Sequence, residues 1–168
     1  FENLISFSRE LHNYMRDYAK ISETEKPLLV SGVLIALLNN AFSKNFRDYE
    51  YNELADQLLD AIKREINKAT IPQAKKESIL QPYTFIVVHP ELKKLDKKTK
   101  ETPLYRLICD IDEHVKPFIQ NHGHFDVLGH FYGEFLRYTG GDKKGLGIVL
   151  TPKHLTDLFA KLANLTPK

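Results

Sequence analysis

Histidines cluster in the carboxyl-terminal half of the chain and raise the question of a metal site. His114, His122, His124 and His130 fall within 17 residues, and Asp126 lies among them. Zinc is held by fixed ligands, and pairs of them often return from one helix at helical spacing. His122 and His124 instead flank a glycine in a predicted loop, where turn chemistry accounts for them without a metal. The sequence therefore predicts no metal site.

Nucleophilic and nucleotide-binding chemistry also lack their usual residues. Cys109, the single cysteine, falls in a predicted helix beside Ile108 and Ile111. A catalytic thiol requires an exposed, electropositive setting, so we predict that Cys109 is a small core residue. The glycine-rich stretch TGGDKKGLG, residues 139–147, lacks the Gly-Lys-Ser/Thr order with which a phosphate-binding loop holds nucleotide and magnesium.

The segment after this glycine-rich stretch has the residues of an anion site. Ile148, Val149 and Leu150 form a short strand candidate, and Thr151 and Pro152 are a good N-cap and first helical residue. The free backbone N–H groups of such a helix start lie at the positive end of its dipole and suit a carboxylate or other anion. A well-capped helix without a ligand explains the same residues, and that alternative stays open.

Positive charge is concentrated in one part of the chain. The net charge is +2, but residues 63–100 hold ten Lys or Arg and four Asp or Glu, which leaves −4 for the remainder. The densest stretch is KKLDKKTK, residues 93–100, which could attract phosphates. A solvated surface loop is the alternative, because lysine runs are common on proteins. The candidate DNA contacts are Lys93, Lys94, Lys97, Lys98 and Lys100.

Helical periodicity supplies the elements that must position these residues. A first helix, with an apolar stripe from Leu4 to Tyr18, should end near Ile21. Ser22 and Glu25 match the capping box of a second helix, which should run to about residue 42 and is apolar almost all round, so we expect it to be central. Further helices are predicted over Asn52–Lys68, after Pro72, after Thr102, and over Phe125–Tyr138. The stretch YTFIVVH, residues 83–89, is interpreted as a helix that continues to His89, although its β-branched run 86–88 could form a strand.

The predicted fold class is all-α. Residues 1–139 form a multi-helix bundle, and residues 140–168 add the glycine-rich loop, the short strand and a final helix. No apolar run reaches the roughly 18 to 20 residues of a membrane span, and the lone cysteine favours a reducing compartment, so we expect a cytoplasmic protein. The chain begins at Phe1, which predicts a piece of a longer protein.

Two stretches carry a family resemblance. DVLGHFYGEFLRYTGGDKKGLGIVLTPKHLTDLFAKLANLTPK, residues 126–168, resembles the part of type I restriction-modification DNA methylase subunits that precedes their cofactor-binding core. LHNYMRDYAKISETEKPLLVSGVLIAL, residues 11–37, is similar to the helical N-terminal domain of that family. The resemblance implies an enzyme that uses S-adenosylmethionine to methylate the exocyclic amine of adenine in DNA. It also implies a specificity subunit and a restriction subunit as partners.

The resemblance further implies where the cofactor binds. In the family, a Gly-Gln-aromatic-aromatic-Thr-Pro motif lies near the methionine portion of S-adenosylmethionine, and Gly147, Thr151 and Pro152 match it. The family's glycine-rich cofactor loop and its Asn-Pro-Pro-Tyr/Phe motif, which holds the flipped adenine, do not occur in these 168 residues. No catalytic residue is therefore assigned, and the chain alone is predicted to be inactive, with its last helix leading into an α/β methyltransferase core. The implied cofactor-binding residues are Gly147, Ile148, Val149, Leu150, Thr151, Pro152 and Lys153.

A freestanding helical module that binds nucleic acid or protein, without catalysis, is the alternative. In that case the Thr-Pro helix is only a capped helix. The reading frame beyond Lys168 separates the two, because the methylase hypothesis requires a glycine-rich loop and then Asn-Pro-Pro-Tyr/Phe.

Overall fold

The computed structural model describes residues 2–117 and residue 159, with side chains from Ser6 onward. Within residues 2–117 the chain is helical and contains no strand, which confirms the predicted all-α class. The predicted strand at 148–150, the helix over 125–138 and the boundary at residue 139 lie outside the described residues. The helices are α1 (Glu2–Asp17), α2 (Glu25–Leu38), α3 (Asn40–Asn45), α4 (Leu54–Asn67), α5 (Gln73–Leu80), α6 (Phe85–Val88), α7 (Pro90–Lys93) and α8 (Pro103–His114), with 3-10 turns at Phe46–Asp48 and Gln81–Thr84.

Helix α2 is the centre of the bundle. Its side chains are buried on most of its circumference, and it contacts α3, α4, α8 and the 3-10 turn at Gln81–Thr84. Gly32 makes the closest approach, because a Cβ atom there would lie 3.0 Å from Tyr83 Cδ1 and 3.2 Å from Ile62 Cδ1. The neighbouring Ser31 hydroxyl lies 3.1 Å from the Tyr83 hydroxyl, within hydrogen-bonding distance. The prediction of a central second helix is confirmed.

The predicted end of this helix near residue 42 is wrong. Helix α2 ends at Leu38, Asn39 is extended, and the next helical segment is bent by 93° from α2. The Asn39 side chain accepts a hydrogen bond from the Phe42 N–H at 3.1 Å and donates one to Glu65 Oε1 at 2.9 Å. Asn39 is thus the N-cap of α3 and is held by α4, and both roles require it to leave the helix.

The first helix also ends earlier than predicted, at Asp17 and not near Ile21. Lys20 adopts a left-handed conformation with φ 49°, which a helix cannot continue through. Phe7, Leu11 and Met15 of the predicted apolar stripe are buried as expected, but Tyr18, beyond the end of the helix, is 66% exposed. Its assignment to the buried stripe was wrong.

The remaining helices predicted between residues 52 and 114 agree with the structure. Helix α4 buries Leu54, Leu58 and Ile62, α5 begins after Pro72, and the β-branched stretch is the short helix α6. Of the predicted capping box, the glutamate half is formed, because Glu25 Oε2 accepts from the Ser22 N–H at 3.1 Å.

A buried polar cluster joins α1 to the start of α2. The fully buried Lys26 ammonium lies 2.5 Å from Glu23 Oε1 and 3.4 Å from His12 Nε2. Burial, followed by the charge of Lys26, lowers the pKa of His12, so the neutral imidazole is favoured here.

In residues 2–117, no single helix is long and apolar enough to cross a membrane. One pair of helices, α2 and the segment Asn40–Asp48, reaches that length only together, across the 93° bend.

We predict that Gly32→Ala destabilises the protein by up to about 2 kcal/mol, because the added methyl group overpacks the contact between α2, α4 and the Gln81–Thr84 turn. Overpacking of this kind costs about 1–3 kcal/mol, and the better helix propensity of alanine offsets roughly 1 kcal/mol of it. Denaturant unfolding measures it. Ile62→Val removes one of the two groups that the methyl would meet, so Gly32→Ala should cost less in that background. Equal costs in the two backgrounds would contradict this packing.

Candidate nucleic-acid interface

The five predicted DNA-contacting lysines lie in residues 93–100, which begin with the last residue of α7 and continue as an anchored loop, and which we call the lysine loop. On its amino-terminal side, α7 is fixed by Leu92, which is fully buried, and α7 packs on α8. On its carboxyl-terminal side, Thr102 is buried and caps α8, because its hydroxyl accepts from the Tyr105 N–H at 3.3 Å. This cap confirms the helix start predicted at Thr102 and Pro103. The loop is therefore held at both ends by the helical core.

Asp96 folds the lysine loop from within. Its Oδ1 accepts hydrogen bonds from the backbone N–H groups of Lys98 at 2.7 Å and Thr99 at 2.9 Å. The Asp96 N–H donates to the Glu101 carbonyl at 2.9 Å, and the Lys100 N–H donates to the Asp96 carbonyl at 3.0 Å. These backbone N–H donors lower the pKa of Asp96. The carboxylate stays ionised inside the turn and makes no salt bridge to a lysine side chain among the described residues.

The lysine side chains are left pointing outward around this turn. Lys94, Lys97, Lys98 and Lys100 are exposed, whereas Lys93 belongs to α7 and is half-buried. Within the described residues, Lys94 alone of these five has a carboxylate within salt-bridge distance, Glu91 Oε2 at 3.6 Å. Lys100 has φ 61°, a left-handed conformation that closes the turn. The structure thus groups four exposed ammonium groups on a small, ordered surface, which is an arrangement that attracts phosphates.

Two other cations of the basic segment 63–100 have local partners. Lys68 pairs with Glu65 at 2.6 Å on α4, and the Lys76 ammonium donates to the Asn67 carbonyl at 2.9 Å. They cover helix ends and neutralise nearby charge. The unpaired positive charge of this segment is therefore densest in the lysine loop.

Residues considered for metal or thiol chemistry have structural roles where they are described. The His114 ring stacks on Phe7 with centroids 4.6 Å apart, and its Nδ1 lies 3.0 Å from the Asp110 carbonyl oxygen. Among residues 2–117, no group of three or more His, Cys, Asp or Glu side chains could hold a metal ion. Cys109 is half-buried against the core, and burial raises the pKa of its thiol, which disfavours the thiolate. The prediction of a core residue is confirmed only in part, because Cys109 packs against the core without being fully buried. The remaining metal-site candidates, His122, His124, Asp126 and His130, lie outside the described residues.

The implied cofactor-binding residues, Gly147 to Lys153, also lie outside the described residues, so their role stays a prediction. The described part of the chain is a helical domain that presents an ordered, positively charged loop. The class of protein comes from comparison with known sequences. No protein-family profile matches the chain, and no solved structure does.

The chain is similar to the type II restriction enzyme and methyltransferase RM.BcgI of Heyndrickxia coagulans. The two are 31% identical over 160 residues, which cover 93% of this chain. The match spans only 25% of that protein's length. The similarity supports a relationship to restriction-modification methyltransferases.

Proposed function

We propose that this chain is the N-terminal helical part of a restriction-modification DNA methyltransferase. The observation that carries the proposal is the reach of the similarity, which includes 93% of the chain. The similarity therefore includes most of the predicted helical part, residues 1–139, and most of residues 140–168, which contain Thr151 and Pro152. In this proposal the full-length protein transfers a methyl group from S-adenosylmethionine to the exocyclic amine of adenine in DNA, and it works in the cytoplasm, where bacterial DNA is accessible.

The type of system is a finer proposal. The resemblance of residues 126–168 favours a type I modification subunit, which assembles with a specificity subunit and a restriction subunit. The relative is named a type II enzyme with both activities in its name. Purification of the full-length protein from its own host distinguishes the two arrangements. A type I subunit should copurify with separate specificity and restriction chains, whereas a protein that restricts DNA without a separate restriction chain would contradict the type I assignment.

We assign two roles to residues of this chain. Gly147 to Lys153 are assigned to one wall of the cofactor pocket, because the backbone N–H groups at the start of the helix predicted there suit the carboxylate of the methionine portion. The lysine loop contacts DNA phosphates, which position a protein on the duplex without reading its sequence. The four exposed ammonium groups around Asp96 support this second role.

The 168-residue chain alone should show no methyl transfer and should bind S-adenosylmethionine weakly, because an incomplete pocket leaves most of the ligand in water. The full-length protein should bind it tightly and methylate adenine. Calorimetry and transfer of a labelled methyl group measure both properties. Tight cofactor binding by the 168-residue chain would contradict the proposal, as would the absence of methyl transfer from the full-length protein, with the subunits that copurify with it, to unmethylated DNA that carries its host's sequences.

Neutralising the exposed lysines of the loop should flatten the salt dependence of DNA binding. Each lost phosphate contact reduces the slope of log K against log salt by about 0.9, so changing Lys94, Lys97, Lys98 and Lys100 to Gln should reduce it by about 3 to 4 in the full-length protein. A variant that loses the same charge elsewhere serves as the control, and it carries Gln at Lys44, Lys63, Lys68 and Lys75. An equal change of slope in the control would show that net charge, and not the loop, is responsible.

A further inference from the structure

At the end of α1, an exposed aromatic side chain stacks on a second, half-buried one. The rings of Tyr14 and Tyr18 are stacked with centroids 5.2 Å apart and planes inclined by 22°. Tyr14 is half-buried against the core, whereas Tyr18 is 66% exposed. The Tyr18 N–H also donates to the Tyr14 carbonyl at 3.0 Å. Tyr18 is therefore a surface ring whose position is supported by a ring anchored in the core.

This aromatic pair lies beside the lysine loop. The Arg106 guanidinium is 5.8 Å from the centroid of the Tyr14 ring. The Arg106 side chain is also paired with Asp110 at 3.4 Å. Arg106 lies at the start of α8, and its backbone N–H donates to the carbonyl of Thr102, two residues after the loop, at 3.1 Å. Burial raises the pKa of Tyr14 to about 12, and the charges of Asp110, Glu101 and Asp96 add to that rise, so Tyr14 lies near the carboxylates at both ends of this turn.

One unpaired cation lies close to Tyr18 in the chain. Lys20 is exposed two residues further along, and its left-handed conformation turns the chain at this point. Arg16 is paired with Asp17 at 2.7 Å, so these two charges offset each other. An exposed ring on the same side of a domain as unpaired lysines is a combination with which proteins hold unpaired nucleotides, because bases stack on the ring while the cations follow the phosphates.

We propose that Tyr18, supported by the Tyr14 ring and followed by the exposed Lys20, stacks on an unpaired base of DNA whose phosphates the lysine loop contacts. This inference rests on the proposed function and extends it. A duplex hides the faces of its bases, so the ligand must contain an unstacked nucleotide. An enzyme that takes a base out of the helix to modify it creates such nucleotides. The unpaired charges of Lys97, Lys98 and Lys100 favour a polyanion over a protein partner on the same surface.

The test compares Tyr18→Ala with Tyr18→Phe in the full-length protein. The probes are a fluorescent duplex, the same duplex with one extra unpaired thymidine, and single-stranded oligothymidine, each titrated at several salt concentrations. Tyr18→Ala should weaken binding to the two probes with unpaired bases by about tenfold, within the range measured for base stacking on aromatic side chains. It should leave duplex affinity and every salt slope unchanged. Tyr18→Phe should bind all three probes like the native protein, because a phenyl ring also stacks.

Three results would overturn the stacking role. They are unchanged binding of Tyr18→Ala to all probes, an equal loss on the duplex and on the unpaired probes, and a loss in Tyr18→Phe that matches the loss in Tyr18→Ala. If Tyr18→Ala abolishes the binding of another protein to the full-length chain but leaves DNA binding unchanged, the stacking role is overturned as well. The lysine variant separates this inference from the proposed loop contact. If the variant with Gln at Lys94, Lys97, Lys98 and Lys100 keeps the native salt slope, the proposed loop contact is excluded. The difference between Tyr18→Ala and Tyr18→Phe reports on stacking alone.

Discussion

The burial of α2 on nearly all its sides is the constraint on which the described structure depends. A helix can be enclosed in this way only if its neighbours approach closely, and Gly32 permits that approach to Tyr83 and Ile62. Helix α8 also packs on α2, and it buries Leu104, Leu107 and Ile108. The start of α8 is therefore fixed by the core, although the loop before it is exposed to solvent.

The packing of the core fixes the positions of the lysine loop and of the Tyr14–Tyr18 pair. Thr102 caps α8 and ends the lysine loop, and Arg106 lies one turn further along the same helix. Helix α1 packs on α8, so the Tyr14 ring meets Arg106. Within the loop, Asp96 is bound by backbone N–H groups, so the only carboxylate among the lysines is oriented towards the backbone and not towards their ammonium groups. An ordered cluster of cations is entropically better prepared for a polyanion than a disordered lysine tail, because less ordering remains to be done on binding.

The sequence predicted what is local and missed what depends on distant contacts. The spacing of Leu54, Leu58 and Ile62 and the Thr102-Pro103 cap were sufficient for α4 and α8, because periodicity and capping act within a few residues. The end of α2 was wrong because Asn39 is held by Glu65, which the chain brings to it from another helix. The lysine loop was visible as a charge cluster, and an aspartate before Lys-Lys-Thr is a signal for the turn that Asp96 makes.

The aromatic pair gave no usable signal in the sequence. Tyr18 continued the apolar stripe of α1 in the sequence pattern, and only the early end of the helix exposes it. The contact between the Tyr14 ring and Arg106 depends on the packing of α1 and α8, two helices that are far apart in the sequence. For Gly147 to Lys153, the interpretation rests on the family resemblance and on the described similarity to a restriction-modification methyltransferase.

Hydrogen exchange of the full-length protein, measured with and without duplex DNA, shows whether the core holds the lysine loop as the surface that meets DNA. DNA should slow exchange of the amides in residues 94–101, while the amides of α3, whose buried partners lie elsewhere in the bundle, should exchange at unchanged rates. Protection of α3 together with unchanged exchange in residues 94–101 would contradict this role of the loop.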